Sequence, residues 1–273
     1  MDNIEYQKKT RGYKRLKPVM KFLFNSYFKP KVIGIENIPK QGAFILCGNH
    51  TNVHDQFPIM INTDRVIHYM AKKEYFDSKM GWFFRYVSQI PVDRGSDTST
   101  AKSEAIELLN DGHAIGIFPE GTRNRICYKK DKIKEIANIL NIDSKAYKKI
   151  AYDKQIKLSQ IEIIKKLKEQ EIINKNKYLE LLMNPSKLKD ILNEEEYNDS
   201  LLLPFKFGAV SLASKTNSYI VPFAVLGHYK RKYKDLVIKI GKPFKVSDDL
   251  EKENKVLRNK ILNLLLEENN RKH

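Results

Sequence analysis

The sequence predicts an α/β protein in which a mixed sheet is flanked by helices. Short apolar runs that are typical of buried strands recur along the 273 residues. Stretches with the periodicity of amphipathic helices separate many of these runs, and this alternation favours α/β architecture. A long glycine-free segment with only helical periodicity interrupts the pattern and predicts a helical insertion.

The predicted strands are six apolar runs, and the last of them alternates between apolar and polar residues. Because alternation is typical of a strand with one covered face, we expect that run at an edge of the sheet. The runs cover residues 43–49, 66–71, 89–92, 114–118, 219–225 and 236–240.

Three helices are predicted around the sheet. The first covers 98–110 and is closed by Asp111–Gly112, a pair that favours a turn. The second is a shorter candidate over 208–215. The third is amphipathic, covers 250–267 and carries leucines on one side.

The first 31 residues hold nine Lys or Arg against only Asp2 and Glu5. Pro18 suits the first turn of a helix, and apolar residues then recur at steps of three or four. We therefore predict a basic amphipathic segment over 1–30. It either contacts a membrane surface or packs on its own domain. The recurring apolar residues are Leu16, Met20, Leu23 and Tyr27, with Phe22, Phe24 and Phe28 beside them.

The predicted organisation is a main domain over 31–124 and 204–273, with residues 125–203 inserted into it as several helices. Isoleucines at helical spacing mark the inserted segment, and Pro185 ends one of its helical runs.

Composition narrows the functional classes. The formal net charge is +17, which favours nucleic acid, anionic lipid or an acidic protein as partner. Two cysteines allow neither a disulfide framework nor a zinc pattern. No apolar run approaches the roughly 18 residues that span a bilayer, and the N-terminus lacks a signal-peptide core. We expect a cytoplasmic protein, either soluble or monotopic, with no transmembrane helix.

The stretch Asn49–Asp55 carries the first chemical motif, because His50 follows a predicted strand and Asp55 lies five residues later. If a helix began after His50, Asp55 would return beneath the imidazole about one turn on. A carboxylate there would fix the ring's tautomer, and the other nitrogen would act as general base. A lone His near an Asp is more often an ordinary polar pair.

Three further blocks carry chemistry, and in chain order the second lies at 90–95, the third at 118–123 and the fourth at 221–222. Phe118–Arg123 reads FPEGTR after an apolar run, at the strand end where α/β proteins bind ligands. Its glycine permits close backbone approach, and its arginine and threonine suit a phosphate. The block 90–95 places Arg94 after a short strand. Val221–Pro222 lies in an apolar run, where a proline by itself indicates an edge strand.

Together these blocks resemble the glycerolipid acyltransferases of the lysophosphatidate acyltransferase type, often called the PlsC family. The NH-x4-D block matches at Asn49, His50 and Asp55, and FPEGTR matches completely at 118–123. Asp93–Gly95 matches the VDRG block, and 221–223 fits the fourth. The resemblance covers about 30–124 and 204–245.

The resemblance implies transfer of an acyl group from acyl-CoA or acyl carrier protein to the free hydroxyl of 1-acylglycerol 3-phosphate, forming phosphatidate. It implies that His50 is the base and that Asp55 orients it. No metal and no organic cofactor are implied. The implied acceptor-binding residues are Lys73 (or its neighbour Lys72), Arg94, Glu120, Gly121, Thr122 and Arg123.

The implied partners are a lysophospholipid, a thioester donor and an anionic membrane surface on whose cytoplasmic side the protein is peripheral. No nucleic-acid module is present, so nucleic acid is not expected. Two alternatives stay open. In the first, the protein is an acyltransferase whose acceptor is glycerol 3-phosphate or another lysophospholipid. In the second, it is a non-catalytic basic protein that binds membrane or nucleic acid. The insertion at 125–203 departs from the family pattern and bears on substrate identity more than on chemistry.

Overall fold

The computed structural model describes residues 3–93 and 99–267. Seven strands form the sheet of this described part: β1 (Lys31–Ile33), β2 (Phe44–Gly48), β3 (Ile67–Lys72), β4 (Ile90–Val92), β5 (Ala114–Ile117), β6 (Tyr219–Leu226) and β7 (Val237–Ile240). The α-helices are α1 (Asn3–Phe28), α2 (Phe57–Met60), α3 (Lys73–Phe76), α4 (Gly81–Tyr86), α5 (Ser99–Asn110), α6 (Lys130–Leu140), α7 (Ser144–Asp153), α8 (Leu158–Glu169), α9 (Lys175–Met183), α10 (Glu194–Asp199), α11 (Gly208–Thr216) and α12 (Leu250–Leu266).

The strand order in the sheet is β1-β7-β6-β2-β5-β3-β4. Neighbouring strands are parallel except β6 and β7, which are antiparallel. The sheet is therefore mixed, and the predicted α/β class is confirmed. The central strand β2 pairs with β6 on one side and β5 on the other, and every residue of β2 is buried.

The six predicted strands all form, within two residues of their predicted ends. The expected position of the last one is wrong, because β7 lies between β1 and β6 and is buried along its length. The edge strand next to β7 is β1, which the sequence did not predict. Three residues beside a cluster of lysines are too short a run to reveal their pairing with Val237.

Pro222 also lies inside the sheet, on β6, and not on an edge strand. Its carbonyl accepts a hydrogen bond from the N–H of Gly241, 2.8 Å away, just after β7 has ended. Because the N–H and C=O of one residue face the same side of an antiparallel strand, the missing donor of Pro222 faces the end of β7. Pro222 therefore costs the sheet little of its interstrand hydrogen bonding, although it lies in an interior strand.

The N-terminal helix begins earlier than predicted. Pro18 lies inside α1 and does not open it. A proline there leaves the carbonyl of Lys14 without its helical donor, and Lys14 is exposed to solvent. The apolar side chains divide between two faces. Tyr13 and Phe24 are buried in the core, with Met20 and Phe28 packed beside them. The exposed ones are Ile4, Val19, Phe22, Leu23 and Tyr27.

The described residues divide into two compact units. We call the first, built from 3–48, 53–93, 99–119 and 206–267, the sheet unit. Its main core joins side chains from the sheet and from α1, including Phe44, Leu46, Tyr69 and Phe223. The predicted domain limits at 30, 124 and 203 stay a prediction.

The second unit, which we call the helical unit, consists of Asn49–Asn52 and Glu120–Phe205. It contains α6 to α10 and no strand among its residues, as the helical periodicity predicted. It has a hydrophobic core of its own, which includes Ile126, Ile136, Tyr147, Ile164 and Leu182. A core of this kind stabilises the helices independently of their modest intrinsic propensity.

The inserted segment leaves and re-enters the sheet unit at neighbouring points. The N–H of Lys206 donates to the carbonyl of Pro119, 2.9 Å away. The FPEGTR block and the start of α11 are thus joined as closely as a short loop would join them. A long insertion at such a point costs little chain entropy, because loop closure grows only slowly with length.

Among the described residues, no helix combines the length and the hydropathy that crossing a bilayer would require.

Candidate active site

His50 is held through its backbone by the FPEGTR block and the residue that follows it. Its N–H donates to Oε1 of Glu120 at 2.7 Å. Its carbonyl accepts from the N–H of Asn124, also at 2.7 Å. These contacts lie within the helical unit, and they bring the first and third sequence motifs together. His50, the residue predicted to be the base, is therefore held by a hydrogen bond on each side of its Cα. We call these two bonds, to Glu120 and Asn124, the clamp.

Glu120 is 4% exposed and uses both carboxylate oxygens on backbone donors. Oε2 accepts from the N–H of Leu203, 2.9 Å away, near the end of the insertion. Charge-assisted bonds of this kind are shorter and stronger than neutral ones. The family resemblance implies that Glu120 binds the acceptor. The carboxylate joins the backbone of His50 to the chain that returns from the insertion. Binding of the acceptor by Glu120 stays a prediction.

Asn124 was missed by sequence reasoning, although it follows FPEGTR directly. Its side-chain oxygen accepts from the N–H of Ser159 at 3.0 Å, and its amide donates to Oγ of Ser159 at 3.1 Å and to the carbonyl of Leu201 at 3.2 Å. Ser159 in turn donates to the carbonyl of Ser200 at 2.7 Å. This buried network fixes the loop that clamps His50, and no local sequence signal marks it.

The remaining FPEGTR side chains contact the first residues of the insertion. Gly121 has φ of 67°, a left-handed conformation that favours glycine. The hydroxyl of Thr122 accepts from Nζ of Lys129 at 2.6 Å. The guanidinium of Arg123 lies 5.0 Å from the ring centroid of Tyr128, within the range of a cation–π contact.

Asp55 lies in the sheet unit and is fully buried. No helix begins after His50. Residues 53–56 form turns, and α2 starts only at Phe57, so the helical connection considered from the sequence is wrong. Burial lowers the pKa of the neighbouring His54, and the charge of Asp55 opposes this shift. Burial raises the pKa of Tyr69, and the charge of Asp55 adds to that effect. A buried carboxylate close to aromatic side chains is suited to orienting a cation or an imidazole.

Lys73 is the first residue of α3 in the sheet unit. Its Nζ lies 3.3 Å from Oδ2 of Asp93, the acidic residue of the VDRG block. The predicted lysine and this second block are therefore neighbours, whereas Lys72 is the last residue of β3. Arg94, which the sequence assigns to the acceptor phosphate, lies outside the described residues.

Positive charge is crowded near the clamp. Burial and the charge of Arg125 lower the pKa of Lys157, and the charge of Glu120 raises it in opposition. Lys157 caps α8, and Arg125 directly follows Asn124. Like charges held this close stabilise a bound anion.

His54 and the two cysteines have structural surroundings. His54 packs against the rings of Phe28, Phe57 and Tyr229, and burial lowers its pKa. In residues 3–93 and 99–267, no three His, Cys, Asp or Glu side chains group as a metal ion would need. Both cysteines are buried, and burial raises the pKa of each thiol.

His68 is enclosed beneath α1. Its Nδ1 lies 2.8 Å from the carbonyl of Ser88, and its Nε2 lies 3.2 Å from the hydroxyl of Tyr6. A neutral ring that donates from Nδ1 and accepts at Nε2 satisfies both neighbours. Burial lowers its pKa to about 4, with the Ser88 carbonyl opposing and the charges of Lys9 and His113 adding to the effect.

This chain belongs to the acyltransferase family, whose model matches residues 29–226. The matched stretch contains all four sequence motifs. It also contains the inserted helical segment, so the family pattern continues on both sides of it.

Two curated relatives carry the name 1-acyl-sn-glycerol-3-phosphate acyltransferase. The protein from Bacillus subtilis is 37% identical over 95 residues, which is 34% of this chain and 48% of that protein. The protein from Borreliella burgdorferi is 36% identical over 110 residues, which is 38% of this chain and 44% of that protein. The chain thus spans about half the length of the curated relatives that it matches.

One solved structure has the same fold. It is the 1-acyl-sn-glycerophosphate (LPA) acyltransferase, PlsC, from Thermotoga maritima. The TM-score is 0.52 at 18% identity, and the match covers 94% of this chain and 80% of that one. The mixed sheet with flanking helices is therefore the architecture of this family.

Proposed function

We propose that this protein transfers a fatty acyl group from an acyl thioester to the free hydroxyl of 1-acylglycerol 3-phosphate, producing phosphatidate. Family membership supports the reaction class, and the names of the two bacterial relatives support the acceptor. The observation that carries the proposal is the clamp on His50 formed by Glu120 and Asn124. It holds a histidine beside the loop that bears Thr122 and Arg123.

His50 is the general base in this proposal. It accepts the proton of the acceptor hydroxyl while that oxygen attacks the thioester carbonyl. The new oxygen–carbon bond forms, the carbon–sulfur bond breaks, and the proton passes to the departing thiolate. Asp55, five residues along the chain, orients the imidazole and stabilises its charged form. No nucleophilic side chain is required.

The acceptor's phosphate is bound by cationic and hydroxyl side chains. Arg123 and Thr122 lie in the FPEGTR block beside Glu120, Arg94 lies in the VDRG block, and Lys73 lies between the first two blocks along the chain. Gly121 adopts the conformation that lets the loop backbone approach a ligand. A phosphomonoester carries close to two negative charges, which several cations recognise better than one.

The protein works at an anionic membrane surface, where the acceptor resides. The exposed apolar residues of α1 recur on one face at 19, 22, 23 and 27, and Phe22 is 72% exposed. Most of the basic residues of α1 lie at 8–17, before these apolar residues, and Lys21 lies among them. Trp82 on the adjoining α4 is also exposed. Each basic residue near an anionic surface contributes about 1 kcal/mol to binding.

The test is transfer of a labelled acyl group from acyl-CoA, and separately from acyl carrier protein, to 1-acylglycerol 3-phosphate. Glycerol 3-phosphate and monoacylglycerol serve as comparison acceptors. Phosphatidate formed from at least one donor is the expected result, with little acylation of monoacylglycerol because it lacks the phosphate. Acylation of monoacylglycerol at an equal rate, or no transfer to any of these acceptors, would contradict the proposal.

A further inference from the structure

We propose that the inserted segment completes the acceptor-phosphate site: Lys129 adds a cation to it and Tyr128 positions Arg123. This inference rests on the proposed function and assigns to that site two residues that lie outside the sequence motifs. Both belong to the helical unit, as do Thr122 and Arg123.

The contact of Lys129 with Thr122 is the first observation. The ammonium donates to the hydroxyl oxygen across 2.6 Å. A hydroxyl that accepts from a cation becomes a better donor, so the O–H of Thr122 is strengthened toward a phosphate oxygen. An oxygen bound there also lies near the ammonium itself. Lys129 therefore acts on the ligand both directly and through Thr122.

The contact of Tyr128 with Arg123 is the second observation. The guanidinium lies 5.0 Å from the ring centroid, and the tyrosine hydroxyl accepts from the amide of Asn52 at 2.5 Å. The ring is partly buried against the core of the helical unit. A fixed aromatic surface of this kind restricts a long arginine side chain and lowers the entropy lost when it binds a phosphate.

The charge around the loop agrees with an anionic ligand. Lys129, Arg123, Arg125 and Lys157 are all contributed by the stretch from FPEGTR to α8, whereas Glu120 is taken up by two backbone donors. The charge of Arg125 contributes to lowering the pKa of Lys157. A phosphomonoester bound nearby would relieve this repulsion, which favours it over a neutral acceptor.

The experiment compares Lys129→Met with Lys130→Met in the full-length protein. Lys130 is the adjacent exposed lysine, so both variants lose the same formal charge. Losing a charge-assisted contact predicts that Lys129→Met raises the acceptor KM about tenfold to a hundredfold, with little change in kcat. Lys130→Met should stay within about twofold, as surface substitutions usually do.

A second pair of variants tests whether the aromatic ring of Tyr128, and not its packing in general, positions Arg123. Tyr128→Phe keeps the ring under Arg123 and should retain most acceptor affinity, whereas Tyr128→Leu should raise the acceptor KM. A similar KM for Lys129→Met and Lys130→Met, or for Tyr128→Phe and Tyr128→Leu, would overturn the corresponding assignment.

Calorimetric binding of a short-chain 1-acylglycerol 3-phosphate keeps this inference distinct from the proposed function. If the wild type transfers no acyl group, the proposed function fails, but the binding comparison still decides the site. Weaker binding in Lys129→Met than in Lys130→Met supports the site. Equal binding of both variants, or no binding by the wild type, overturns it.

Discussion

Replacing Glu120 with glutamine removes the anchor of His50 while keeping nearly the same shape. The carboxylate accepts one N–H from His50 and one from Leu203. Glutamine offers one oxygen and one NH2, and the NH2 cannot accept. One buried backbone donor is therefore left unpaired, and the other keeps only a neutral hydrogen bond.

The expected loss of stability follows from these two changes. An unsatisfied buried donor costs about 1–3 kcal/mol, and a neutral bond is about 1 kcal/mol weaker than a charged one. Together they predict that the free energy of unfolding falls by about 2–4 kcal/mol. The charge lost beside Lys157 and Arg125 acts in the same direction.

The kinetic consequence is a fall in kcat, because the His50 backbone shifts. A displacement of about 1 Å in a catalytic group reduces the rate on the order of a hundredfold. The assays are denaturant unfolding and steady-state acyl transfer, with Glu162→Gln as control. Glu162 is an exposed carboxylate on α8 of the same unit, and its variant should change stability by less than about 0.5 kcal/mol.

An acceptor KM that rises while stability and kcat stay at wild-type values would refute this reasoning. That result would show that Glu120 acts on the acceptor, as the family resemblance implies, and that its bonds to His50 and Leu203 are dispensable.

Two further predictions concern the sheet unit. Because the pKa of His68 is lowered to about 4 from 6.5, the unfolded chain binds more protons between these values. The contribution of His68 to the free energy of unfolding is fully present above pH 6.5 and falls by about 3 kcal/mol toward pH 4. In unfolding measured against pH, His68→Gln should lack this loss. A pH profile of His68→Gln that runs parallel to that of the wild type would contradict the prediction. The double variant Phe22→Ser, Leu23→Ser should bind anionic vesicles at least about tenfold more weakly in a sedimentation assay. Ile172→Ser, an exposed change in the helical unit, should bind as the wild type does. Equal binding by the double variant and the wild type would leave α1 with a purely structural role.

The sequence revealed the strands because burial on both faces leaves continuous apolar runs, as in β2 and β6. It did not reveal β1, whose pairing with β7 depends on residues some 200 positions away. Pro18 was misplaced for a related reason. A proline is a local signal for a helix start, but tertiary packing of Tyr13 and Phe24 extends α1 on both sides of it.

The motifs were also visible in the sequence, since each is a short run with its own chemistry. The clamp on His50 was not, because it uses the backbone of His50 and the side chain of Glu120, which are 70 residues apart. The Asn124–Ser159 pair likewise joins two polar residues that carry no periodicity. Contacts of this kind depend on the fold and not on local pattern.

The role of His50 as the base is tested by comparing His50→Ala with His54→Ala in acyl transfer to 1-acylglycerol 3-phosphate. The two histidines share one loop, but His54 packs among aromatic rings. We expect His50→Ala to retain less than about a hundredth of wild-type kcat with an unchanged melting temperature, since general bases contribute about 10²–10⁴-fold. His54→Ala should lose stability but keep most of its turnover when folded. Substantial turnover by folded His50→Ala, with loss of activity in folded His54→Ala, would contradict the assignment.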